Sequence, residues 1–117
     1  MNSKLLEKEA LRIRNEFENR KINYSLLRDL YQKYNRLDDI NGFIEEAKEM
    51  FPRLNCGLAT LYLKNVFKEG EIKRGKYKNE PHTFLILKNN ILVDITADQF
   101  NGPKVYVGLL RLPWSIS

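Results

Sequence analysis

The chain has one cysteine, Cys56, and one histidine, His82. A thiol and an imidazole can attack and protonate a carbonyl group together, provided that they meet. A lone cysteine closes no internal disulfide, and one Cys with one His makes no zinc site. The alternative for each is structural: a free cysteine is most often a small buried hydrophobe. Placement favours chemistry. Asn55 is a good N-cap residue, so a helix should open at Cys56. The thiolate is the nucleophile, and the first turn of a helix favours the anion. Gly57 leaves the approach to the sulfur open, and free first-turn N–H groups can hold an oxyanion.

His82 opens a segment rich in β-branched and aromatic residues, His82–Lys88, so its ring should project at a strand end. Asp94 lies in the next such segment, Ile91–Thr96, where a carboxylate can fix the imidazole tautomer and stabilise imidazolium. The expected triad is Cys56 as nucleophile, His82 as general base and acid, and Asp94 as orienting residue. Register constrains it. A two-residue turn at Asn89-Asn90 would put His82 and Asp94 on opposite faces of the sheet. A three-residue loop with a left-handed Asn, or one bulge, puts them on the same face. The triad therefore requires an odd-length loop or a bulge.

The elements that must position these residues fall into two halves, helical over about 1–67 and strand-forming over about 71–112, within a single domain spanning 1–117. Apolar residues at helical spacing predict helices over Lys4–Asn19, Leu26–Asn35 with Ser25 as N-cap, Gly42–Met50, and Cys56–Phe67 ended by Gly70. The stripe Leu27, Leu30, Tyr31, Tyr34 reads as core. Cys56, Ala59, Thr60, Leu63 and Phe67 share the face of the fourth helix that should pack on the domain. Strands are expected over Glu71–Lys78, with a bend or bulge at Gly75, over the two hairpin segments, and over Val105–Leu110 after a turn at Asn101-Gly102-Pro103. Both faces of the hairpin strands are apolar, which places them centrally. Trp114 reads as an anchor in the tail. The fold class is α+β, with N-terminal helices packed on a C-terminal antiparallel sheet.

The chain has 117 residues, 43% of them apolar and 30% charged, as in an ordinary globular domain. No apolar run is long enough for a membrane span, and the charged N-terminus lacks the apolar region of a signal peptide. The expected location is the cytoplasm, or a target cell to which the chain is delivered. The net charge of +5 is concentrated in Lys68–Lys78. Such a stretch could meet nucleic acid, but a lysine-protected edge strand is the favoured reading.

Three segments resemble the transglutaminase-like branch of the papain-like cysteine enzymes: Asn55-Cys-Gly-Leu-Ala-Thr60, His82-Thr-Phe84-Leu, and Val93-Asp94-Ile-Thr96-Ala-Asp98-Gln99-Phe100. The resemblance spans about residues 50–110 and is similar to small bacterial and phage members, papain-fold toxin domains included. It implies a papain-like or transglutaminase-like core, the Cys56–His82–Asp94 triad and a mechanism through a thioester; no cofactor is expected, and one Cys with one His gives no metal cluster. It also implies a protein or peptide substrate and, for toxin-type members, an immunity or inhibitor protein as partner. Peptide hydrolysis, glutamine deamidation and transglutamination all fit. The Cys-to-His spacing of 26 residues is compact, and Phe84 stands where Trp is commoner. Gln99 is either an oxyanion or substrate donor or a loop residue bonded to its own backbone. Asp98 is either an alternative third member or the cap of its turn. Two further functions compete: a basic RNase or RNA-binding module, and a non-catalytic interaction protein that retains the fold.

Overall fold

Short polar side chains start three of the four helices. The computed structural model describes residues 2–116. Helix α1 spans Ser3–Glu18 and is capped by Asn2, whose side chain accepts from Leu5 N. Helix α2 spans Tyr24–Tyr34, capped by Asn23 rather than by Ser25. Helix α3 spans Ile40–Met50, starting two residues before the expected Gly42, and is capped by Asp39. In each case an Asn or Asp oxygen takes an N–H of the first turn, the preferred N-terminal device. Helix α4, Cys56–Phe67, has the expected limits. Its end differs from expectation: Lys68 takes the left-handed conformation, and Gly70 follows two residues later.

A five-stranded antiparallel sheet follows, in the order β4-β3-β2-β1-β5. Its strands are β1 Glu71–Tyr77, β2 Glu80–Leu87, β3 Ile91–Asp94, β4 Tyr106–Leu109 and β5 Trp114–Ser115. The chain is thus α+β, and the two hairpin strands β2 and β3 are interior to the sheet. Strand β1 is joined to β2 by Lys78-Asn79, both left-handed, the signature of a two-residue type I′ hairpin. Gly75 makes no bulge. It pairs regularly with His82, and a side chain there would collide with Ser115 O and the Phe84 ring. Among the described residues, strand β5 pairs with Lys76 and Tyr77 of β1.

Alternation divides the core. Leu85, Leu87, Val93 and Ile95 face the helices and pack with Leu6, Ile13, Phe17, Leu27, Leu58 and Leu63. Phe84, Ile86 and Leu92 face the other way, with Tyr77, Ala97 and Trp114. On that second face the rings of Tyr106, from β4, and Trp114, from β5, stack with centroids 4.1 Å apart. The two outermost strands thus touch, and the sheet bends around this second core. Among the described residues no helix is long and apolar enough to cross a membrane.

Candidate active site

The connection between β2 and β3 sets the site. Leu87 pairs with Ile91, leaving the three-residue loop Lys88-Asn89-Asn90. Asn89 and Asn90 take left-handed angles that most residues avoid. The odd loop length puts His82 and Asp94 on one face, as diagonal neighbours. His82 Nε2 lies 2.7 Å from Asp94 Oδ2, and both side chains are almost fully buried. The rings of Tyr77, Phe84 and Phe100 surround the imidazole, Phe100 edge-on at 5.4 Å.

The carboxylate of Asp94 accepts from three further donors. Trp114 Nε1 donates to Oδ2 at 2.8 Å. Thr96 N donates to Oδ1 at 2.9 Å, and the Thr96 hydroxyl lies 3.4 Å from the same oxygen. This gives the Asp-x-Thr spacing a physical meaning: two residues on, the backbone turns back and pins the carboxylate. Trp114 has more than an anchoring role. It orients the orienting residue, and nothing in the sequence of the tail signalled that.

Cys56 is half-buried at the first position of α4. With Nε2 of His82 engaged by Asp94, Nδ1 is the ring nitrogen left for the thiol. Burial pushes the Cys56 pKa up, but the hydrogen bonding and charge of His82, with hydrogen bonding from Thr83, outweigh it and hold the thiol below its ordinary value. For His82 burial acts downwards. Hydrogen bonding and charge from Asp94 and Cys56 prevail and push its pKa up to about 9. The two shifts favour a thiolate–imidazolium pair. The Thr60 hydroxyl, 2.6 Å from Cys56 O and 3.3 Å from Thr83 O, ties the helix carrying the sulfur to the strand carrying the ring.

Asn55 does not cap α4. Its side chain is buried and turns inwards, donating to Ala47 O at 2.9 Å and to Arg53 O at 2.8 Å. No side chain caps the first turn, so its N–H groups remain for another acceptor. Gln99 lies in the 3₁₀ turn Ala97–Phe100, with Nε2 3.4 Å from His82 Nδ1. Its side chain therefore reaches the site instead of bonding to its own loop. Asp98 neither reaches His82 nor caps its turn. Both its oxygens accept from Arg14, at 2.7 Å each, and Arg14 also donates to Ile95 O. This buried arginine of α1, which sequence reasoning missed, fixes the turn that carries Gln99.

Cys56, Gly57 and Gln99 open onto a groove of about 770 Å³. Tyr31, Tyr34 and Phe43 supply an aromatic wall, with Tyr31 and Phe43 stacked at 5.3 Å. The expected core stripe of α2 is thus only partly core: Leu27 is buried, whereas Tyr31 is half-buried and Tyr34 exposed. Gly57 leaves the groove clear beside the sulfur, since even an added Cβ would meet only the Tyr31 ring, at 3.6 Å. No protein-family model, curated protein or solved structure matches this chain.

Proposed function

We propose that the chain is a cysteine-dependent acyl-transfer enzyme of the papain-like or transglutaminase-like kind, acting on an amide carbonyl. The observation that carries this reading is the buried relay Trp114–Asp94–His82 beside a half-buried thiol that lines a groove and whose pKa His82 lowers. The Cys56 thiolate attacks the carbonyl carbon, a C–S bond forms, and the carbonyl oxygen takes the electron pair. Free N–H groups at the head of α4 and the amide of Gln99 are the donors available to that oxyanion. When the C–N bond breaks, the imidazolium of His82 gives its proton to the departing amine or ammonia. Water or a second amine then attacks the thioester, His82 takes its proton, and the thiolate is released. Asp94 stays a carboxylate-side acceptor throughout and holds the ring in line. Hydrolysis, deamidation and transglutamination differ only in the leaving group and in the acceptor of the second step.

The test is alkylation by iodoacetamide as a function of pH, beside turnover of an amide substrate. A lowered thiol pKa means that the thiolate persists below the ordinary value of roughly 8.5 and is lost only as pH falls through the shifted one. Proton delivery needs imidazolium, so turnover should fall as pH rises through about 9. In His82→Ala the burial of Cys56 loses its main opponent, so alkylation should move to higher pH than in the parent. An alkylation profile identical in parent and variant would defeat the proposal. Intact mass after incubation with an electrophilic glutamine or peptide analogue, with the adduct mapped, identifies the acyl group preferred.

A further inference from the structure

The aromatic wall of the groove carries a polar atom that the steps above leave idle. Tyr31 lies on α2, one turn after the buried Leu27, so its ring leaves the helix on the side of the core. The ring stacks on Phe43 of α3, and that contact holds it in place. Its Cε1 stands 3.6 Å from the point that a Cβ of Gly57 would occupy. Cε1 is bonded to the carbon that bears the hydroxyl. The phenol tip of Tyr31, and not the root of the ring, therefore lies over the first turn of α4, one residue from the sulfur.

Among the described residues the Tyr31 hydroxyl makes no hydrogen bond, whereas that of Tyr106 is tied to Leu109 O. Every buried polar side-chain atom among them has a partner, so the unpaired hydroxyl is open to the groove that Tyr31 lines with Cys56. Burial pushes the Tyr31 pKa up, the charge of Cys56 pushes it further, and the charge of Arg74 opposes both. Charges act so only at short range, so phenol and sulfur share one corner of the groove. The phenol keeps its proton at neutral pH and is a donor. Beneath it, Ala59 N is taken by Asn55 O and no side chain caps the helix, which leaves the N–H groups of Cys56, Gly57 and Leu58 without a helical partner. Gln99 approaches from the imidazole, 3.4 Å from His82 Nδ1. The bare Cα of Gly57 keeps open the gap between phenol and first turn.

We infer that Tyr31 is a catalytic residue, whose hydroxyl donates across the gap over Gly57 to the acyl oxygen while Cys56 attacks. Its catalytic meaning rests on the acyl transfer proposed above. As the C–S bond forms, the C=O electron pair moves onto oxygen, and the phenol N–H-like donor role is filled by its O–H. When the pair returns, the leaving group departs with the electrons of its bond, and Tyr31 keeps its proton. A donor that bonds the oxyanion more strongly than the carbonyl speeds the attack without tightening the binding of substrate.

The test sets two electrophiles against one sulfur in the full chain. Iodoacetamide alkylates the thiolate at a saturated carbon and expels iodide, with no oxyanion. p-Nitrophenyl acetate acylates it through a tetrahedral oxyanion and expels p-nitrophenolate, which needs no proton. The thiolate fraction enters both rates alike, so their ratio cancels it. Each rate is taken above the background of Cys56→Ala. Tyr31→Phe keeps the ring and its stack on Phe43 and removes the hydroxyl. Loss of one oxyanion donor costs about 10²–10³ in an enzyme; with the first-turn N–H groups still present, the ratio of acylation to alkylation should fall at least about tenfold at every pH. The alkylation profile itself should coincide with that of the parent. A merely structural Tyr31 would slow both reagents alike. An unchanged ratio, whether both rates hold or both fall, overturns the proposal. Ratio and alkylation profile are independent readouts. An ordinary thiol whose ratio still falls in Tyr31→Phe would reject the activated pair and keep the donor; an activated thiol with an unchanged ratio would do the reverse.

Discussion

Four donors meet two oxygens at Asp94, two at each. The least expected is the indole of Trp114, twenty residues further along the chain. Trp114→Phe keeps an aromatic ring against Tyr106 but removes the N–H together with part of the buried ring volume. A hydrogen bond to a charged partner contributes about 1.5–3 kcal/mol, and lost packing adds to it, so the urea midpoint should fall by at least that equivalent at unchanged slope. Alkylation of Cys56 below the ordinary thiol range should survive in this variant, because His82 and its remaining bond to Asp94 are intact. A variant as stable as the parent would show that Asp94 Oδ2 needs no second donor.

Helix α4 shows how an element can be legible while its reason is not. Asn55, Cys56 and the apolar run to Phe67 announced the helix correctly because those signals are local. The role of Asn55 was misread because a capping oxygen and a buried amide donor look identical in sequence. Likewise the odd loop at 88–90 followed from parity and two asparagines, whereas Lys78-Asn79 went unread as a hairpin turn because lysine seldom takes left-handed angles. Asn55→Asp separates the two roles. A cap would tolerate Asp or gain from it, since a carboxylate at a helix N-terminus is favourable by about 0.3–1 kcal/mol. The observed Asn55 donates to two carbonyl oxygens, and a carboxylate there meets them with no proton to offer. The expected loss in a denaturation experiment is about 2–3 kcal/mol, the cost of buried groups left unpaired. A variant at least as stable as the parent would restore the capping role.

For the whole molecule, the features hidden from sequence are those that close the chain on itself. Arg14 meets Asp98 across 84 residues, and Trp114 comes back beside Tyr106 on the far side of the sheet. Neither contact leaves a periodicity or a turn signature, so each residue looked like ordinary helix surface or tail. Yet the strand order requires something of the kind: β4 and β5 are consecutive in the chain and lie at opposite edges. The chain must cross the second face to join them, and the Tyr106–Trp114 stack is where that crossing is held. The same stack lies directly over Asp94, so the closure of the sheet and the burial of the relay are one event. Tyr106→Ala removes the ring and its hydroxyl bond to Leu109 O. For a half-buried aromatic the loss should be about 2 kcal/mol, below the 3–5 typical of a fully buried one. The chain has a single tryptophan, Trp114, so its emission reports this closure without interference. In Tyr106→Ala the emission should shift to the red before the main unfolding transition, as water reaches the indole. The His82 pKa should then move back from about 9, because solvent screens the Asp94 charge that helps to raise it. If emission and alkylation profile both stay at their parental values, the two edges do not depend on each other, and the relay is held by the β2–β3 hairpin alone.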